Sequence, residues 1–149
     1  MNIQIKKLNK DDLFEFVQLI KVFEEVFEMQ SFEIPINNHL QNLLNKQDFF
    51  VFVAIIDTQV IGGLTAYTLE QYYSSKPLAY VYDLAVNKKL QRQGIGKLLM
   101  EAICNYCNEN GFEEVFVQAD RVDDYALAFY RKTMPTAEED VSHFYYTLK

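Results

Sequence analysis

Tyr82-Asp83-Leu84-Ala85-Val86, the bridge Asn87-Lys88-Lys89-Leu90, and then Gln91-Arg92-Gln93-Gly94-Ile95-Gly96-Lys97 form the stretch that decides the fold. Its first part closes the run Leu78 to Val86, apolar almost throughout, in which Asp83 is the one charged residue. Such a run reads as a strand. Its last part opens a segment, Ile95 to Asn108, with Leu98, Leu99, Ala102, Ile103 and Tyr106 at helical spacing. Between them, Gly94 and Gly96 remove Cβ atoms, so backbone can approach a ligand closely. The first N–H groups of the following helix lack intrahelical partners and carry partial positive charge. Strand, opened turn and helix together make a cradle suited to a pyrophosphate, with Lys88, Arg92 and Lys97 as cations around it. It is not a Walker loop, since Gly-Lys-Ser/Thr is absent, and Leu99 stands where a dinucleotide fingerprint has its third glycine.

Working outward, Ile3 and Ile5 alternate with polar residues and predict a first strand. Asp11 or Asp12 can cap a helix carrying Leu13, Phe16, Val17, Ile20, Phe23 and Phe27. Its end carries Glu24, Glu25 and Glu28, where the helix dipole disfavours anions. Asn37 or Asn38 starts a short helix through Leu44. Phe49 to Ile56 and Val60 to Leu69, joined by Asp57-Thr58-Gln59, predict a hairpin. Gly62-Gly63 inside its second strand predicts a bulge or a close backbone approach. Gly111 is placed to end the long helix. Glu114 to Ala119 predicts a strand, Tyr125 to Lys132 a helix, and His143 to Leu148 a closing strand. The order βααβββαβαβ belongs to an α/β (α+β) fold of one domain, residues 1–149.

Composition narrows the class. The chain has 149 residues, 50% hydrophobic and 23% charged, which fits a globular core and excludes disorder. No apolar run is long enough to span a bilayer, and the N-terminus lacks a secretion signal, so a cytoplasmic protein with no membrane partner is expected. The net charge of -7 disfavours nucleic acid and permits a cationic ligand. Lys88, Lys89, Arg92 and Lys97 form a basic island in an otherwise acidic chain, so ligand parts of opposite sign are conceivable. Cys104 and Cys107 sit mid-helix, without the histidine neighbours of a zinc site, and read as structural thiols. His39 and His143 have no ligand neighbours either, so no metal is expected.

Gln-x-x-Gly-x-Gly after an apolar strand resembles the acetyl-CoA loop of the GNAT N-acetyltransferases. Asp123-Asp124-Tyr125-Ala126-Leu127-Ala128-Phe129-Tyr130 resembles that family's Asn-x-x-Ala-x-x-Phe-Tyr helix, with Asp123 in place of the usual Asn. Tyr80 to Val86, Arg92 to Ile95, Val117 to Asp120 and Asp123-Asp124 are similar to the small aminoglycoside 3-N-acetyltransferases of gentamicin-resistance type. Lys132-Thr133-Met134-Pro135 departs from that subgroup's Lys-Leu-Gly.

The resemblance implies a GNAT fold, a mixed, mostly antiparallel sheet whose fourth and fifth strands splay apart to admit acetyl-CoA, flanked by helices. It implies cofactor contacts at Leu84, Ala85, Val86, Gln91, Arg92, Gln93, Gly94, Ile95, Gly96, Lys97 and Asp123. A bulge near Leu84 to Val86 would free backbone groups for the pantetheine arm, and the Leu84 N–H would serve as oxyanion donor. A protonated amine has no lone pair, so the site needs a proton acceptor. Asp83 is the candidate, and Tyr130 would protonate the departing thiolate. Asp83, Asp120, Glu28, Glu139 and Asp140 are the carboxylates expected to meet a small polycationic substrate. The implied activity is acetylation of the 3-amino group of an aminoglycoside antibiotic, by direct transfer in a ternary complex, in a homodimer. Acetylation of a polyamine, and a silent acetyl-CoA-binding module, are the alternatives.

Overall fold

The computed structural model describes residues 2–149, which form two compact units, residues 2–118 and 119–149. The first unit holds β1 (Gln4–Lys7), α1 (Leu13–Val26), α2 (Asn37–Asn45), β2 (Phe49–Ile56), β3 (Gln59–Leu69), β4 (Leu78–Val86), α3 (Ile95–Glu109) and β5 (Glu114–Val117). The second holds α4 (Asp124–Lys132) and irregular chain.

The five strands lie in sequence order, antiparallel from β1 to β4, and β5 joins β4 in parallel. This is the mixed sheet expected. Strands β2 and β3 are buried on both faces because helices cover both sides. Phe49, Val51 and Val53 point into a core with Phe16, Leu19, Phe23 and Leu40 of α1 and α2. Phe50 and Phe52 point the other way, against Tyr106 of α3. Helix α3 buries Ile95, Leu99, Met100, Ile103 and Cys107 on one stripe, which is the periodicity its sequence shows.

The turn chemistry is local. Gly111 sits at φ +77 just past α3, and the N–H of Phe112 closes back on the Cys107 carbonyl at 3.0 Å. That is a glycine-terminated helix end. Asp12 stands at the start of α1, as expected, yet its side chain does not cap the helix. It accepts instead from the Asn9 N–H at 2.8 Å and the Lys6 ammonium at 3.0 Å. Burial works against its charge, but these two donors outweigh it and hold the carboxyl below its usual range. Both predictions for Gly62-Gly63 hold: Ile61 is an extra residue between the pairs Ile55↔Val60 and Ala54↔Gly62, and a Cβ on Gly63 would stand 2.5 Å from the Phe52 carbonyl oxygen.

Three expectations fail. The closing strand predicted at His143 to Leu148 does not form. Those residues have no secondary structure and are exposed, because no neighbouring strand supplies hydrogen bonds and apolar cover. Strand β5 stops at Val117 rather than Ala119, where its pairing with β4 ends. The irregularity in β4 lies at Tyr82, not at Leu84 to Val86: Thr65 pairs with Asp83 and Ala66 with Val81, leaving Tyr82 as the extra residue.

Candidate active site

Strand β4 pairs with β5 only over Leu78 to Val81. From Tyr82 onward the two strands no longer pair, so the β5-facing edge of β4 is open along Tyr82 to Val86. A strand edge left without a pairing strand keeps main-chain donors and acceptors that an extended ligand can use. β5 itself ends at Val117, so the pairing stops where the fifth strand stops.

The bulge decides which way Asp83 points. In a regular strand Tyr82 and Asp83 would face opposite sides. The extra residue at Tyr82 puts both on one side of the sheet, since two bulged residues oppose one partner. Asp83 lies opposite Thr65, on the side of α1, and Tyr82 packs edge-on against Tyr67 and Tyr80 of that same side. Asp83 is half-buried, and among the described residues its carboxylate has no hydrogen-bond or ion-pair partner. Burial raises its pKa above the ordinary carboxylate value.

The cradle follows at the end of β4. The Asn87 side chain caps a 3-10 turn over Lys88–Leu90, accepting from the Lys89 N–H at 3.0 Å. Gln91 reaches back and donates to the Val86 carbonyl at 2.9 Å, which ties the loop to the strand. Arg92 and Gly94 both adopt positive φ, +64 and +84, and Gly94 is the residue before α3. No side chain caps that helix, and a Cβ on Gly94 would meet nothing within 4 Å. The first amides of α3 thus follow directly on an exposed glycine without a side-chain cap, an arrangement that suits a pyrophosphate. Lys88, Lys89, Arg92, Gln93 and Lys97 are exposed around it. Lys97 stands 3.9 Å from Glu101 on the next turn, a weak exposed pair.

The remaining predicted residues distribute as follows. Glu28 is exposed just past α1, with φ +50. In the second unit, Asp123 caps α4 by accepting the Ala126 N–H at 3.0 Å. Tyr130 is half-buried on α4, its ring 4.9 Å from that of Phe129. Asp140 is exposed and paired with Arg121 at 2.7 Å, while Glu138 holds Arg131 through two bonds of 2.8 and 2.9 Å. Asp120 and Glu139 are exposed. Tyr67, Tyr80 and Tyr82 share this side of the sheet, and none of the three was expected as a site residue. The alternation of tyrosines at Tyr80 and Tyr82 was a visible signal, but only cross-strand register shows that Tyr67 joins them.

Burial pushes the Cys107 thiol up to about 12, with the neighbouring Cys104 adding to it, and Cys104 is raised too. Neither is a nucleophilic thiolate at neutral pH. A cavity of about 760 Å³ lies at the opposite end of the sheet, lined by Lys7, Lys46, Phe50, Tyr106 and Phe112 among others. It carries none of the predicted chemistry. No helix among the described residues is long and apolar enough to cross a membrane.

Comparison with known proteins agrees with this geometry. The profile of the acetyltransferase (GNAT) family matches residues 12–134. The fold superposes with a TM-score of 0.98 on an aminoglycoside acetyltransferase from an uncultured soil metagenomic sample, solved in complex with sisomicin. The two chains are 62% identical over 99% of this chain and 97% of that one. A second aminoglycoside acetyltransferase from an uncultured soil metagenomic sample is 29% identical over 100% of both chains, with a TM-score of 0.92. The enzyme AAC(6')-Iy, in complex with the bisubstrate analog CoA-S-monomethyl-acetylneamine, is 17% identical with a TM-score of 0.80 over 99% of this chain and 100% of that one, and shares the fold.

Proposed function

The chain belongs to the acetyltransferase (GNAT) family, and from that premise we propose that it moves the acetyl group of acetyl-CoA to the 3-amino group of a gentamicin-type aminoglycoside. The observation that carries this reading is Asp83: an unpartnered, half-buried carboxylate on the open edge of β4, one strand-end away from the glycine-opened cradle.

The first amides of α3, with Gln91 to Lys97, hold the diphosphate of the cosubstrate. Leu84, Ala85 and Val86 offer main-chain groups along the open edge to its pantetheine arm. Asp83 accepts the proton that the incoming ammonium must lose, directly or through one water, and frees the lone pair. The nitrogen then bonds to the thioester carbonyl carbon, and the Leu84 N–H donates to the oxygen as it gains charge. Breaking the carbon–sulfur bond releases a thiolate, to which Tyr130 gives its proton; the second proton shed by the acylated nitrogen restores the phenol, and the proton on Asp83 is the one released overall. Asp120, Glu28, Glu139 and Asp140 supply the acidic surroundings that gather a polycation, and Asp123 contacts the cosubstrate while keeping its capping bond. The same reading takes residues 1–149 as one acetyltransferase domain that works in the cytoplasm as a homodimer and confers antibiotic resistance.

Thiol release from acetyl-CoA in the presence of sisomicin, gentamicin, kanamycin and spermidine tests it, with the acetylated nitrogen mapped by NMR. Turnover of sisomicin and gentamicin with acetyl on the 3-amino nitrogen is expected. Acetyl on another nitrogen refutes the regiochemistry, preference for spermidine refutes the substrate class, and no thiol release with any amine refutes catalysis.

A further inference from the structure

Three tyrosines crowd the side of the sheet that Asp83 faces, and nothing in the chemistry above uses them. Tyr82, on the bulge, stands at 90° to Tyr67 with ring centroids 5.9 Å apart, and at 84° to Tyr80 at 5.8 Å. Tyr80 lies flat on Phe116 of β5 at 4.7 Å and 7°, and its hydroxyl reaches Gln118 at 3.2 Å. Tyr67 rests on Phe49 of the core at 5.2 Å. Two rings are thus pinned from behind, while the third stands upright between them and is 58% exposed. The Tyr82 ring thus stands near a right angle to both of the others, and aromatic faces carry negative π charge. Asp83 is next to Tyr82 in the chain, and its charge reaches the Tyr67 and Tyr80 hydroxyls: burial first, then the Tyr82 and Asp83 charges, raise both phenols.

We propose that Tyr67, Tyr80 and Tyr82 form an aromatic enclosure beside Asp83 that holds an ammonium-bearing ring of the acceptor and so sets acceptor preference. The inference rests on the acetyltransfer reading and adds the residues that seat the substrate. A polycation brings several ammonium groups, only one of which reacts. A second carboxylate beside Asp83 would hold the others but would drive Asp83 further toward its protonated form. Ring faces attract a cation without adding a titrating charge, and they stack equally well on the C–H face of a sugar.

Calorimetric titration of sisomicin, together with steady-state kinetics, tests the enclosure. Tyr82→Leu keeps apolar bulk and loses the π face, so Kd and KM for sisomicin rise roughly tenfold while KM for acetyl-CoA is unchanged. Tyr82→Phe keeps the face and stays within about threefold of the parent, on the same argument. In the unsubstituted protein, choline displaces sisomicin and its neutral carbon isostere does not. Unchanged sisomicin affinity in Tyr82→Leu, a Tyr82→Phe variant as weak as the leucine one, or equal displacement by the neutral isostere overturns the enclosure. If the parent binds sisomicin through the rings but never acetylates it, the acetyltransfer reading fails and the enclosure stands. If the parent does not bind sisomicin, both fall.

Discussion

Asp83→Asn separates catalysis from stability, because the two respond in opposite directions. The carboxylate is half-buried, has no hydrogen-bond partner among the described residues, and has its pKa raised by burial. Ionising it therefore costs native-state stability. The penalty is absent below the carboxylate range of the unfolded chain and complete once pH exceeds the folded-state value. The amide keeps the shape and cannot ionise, so the variant is expected to be more stable than the parent at neutral pH. The gain is read as a higher Tm for the variant than for the parent. At pH values below the unfolded carboxylate range the gain disappears. Catalysis moves the other way. Loss of a positioned base lowers turnover about 10²–10⁴-fold, equivalent to roughly 3–5 kcal/mol of barrier. The residual rate climbs with pH, because the amine then arrives already deprotonated. Calorimetric melting at acid and neutral pH, acetyl-CoA titration and thiol-release kinetics read the three effects. Intact acetyl-CoA binding with more than a tenth of parental turnover would remove Asp83 as proton acceptor. A lower neutral-pH Tm would show that the carboxylate is satisfied in the folded state, contrary to the geometry.

Two glycines answer different questions. Gly63→Ala places a Cβ 2.5 Å from the Phe52 carbonyl oxygen and 2.7 Å from Leu19 Cδ1, at a site packed between strand and helix, so the variant loses about 2–3 kcal/mol in urea unfolding. An unchanged midpoint would mean the sheet relaxes freely there. Gly94→Val meets open space but must hold a β-branched residue at φ +84, in front of the first amides of α3. The stability loss is about 1–2 kcal/mol, whereas affinity for coenzyme A falls at least tenfold on the reasoning that the amide cradle is screened. Equal coenzyme A affinity in parent and variant places the diphosphate elsewhere.

What the sequence determined by itself is what neighbours in the chain control. The apolar run of β4, the glycines of the cradle, the periodic stripe of α3 and the glycine stop at Gly111 were all legible. Strand propensity, positive φ and helix capping are settled within a few residues. The cofactor loop falls in that class, and so does Asp83 as a lone charge in a strand. The tertiary structure alone decided where β4 and β5 part, that the bulge falls at Tyr82, and that Tyr67, Tyr80 and Tyr82 share a side with Asp83. A one-residue bulge reverses which face a side chain takes, and its position is set by pairing with a strand far away in sequence. The tail shows the same limit from the other direction. His143 to Leu148 carries strand-forming residues, but a strand exists only where a partner meets it.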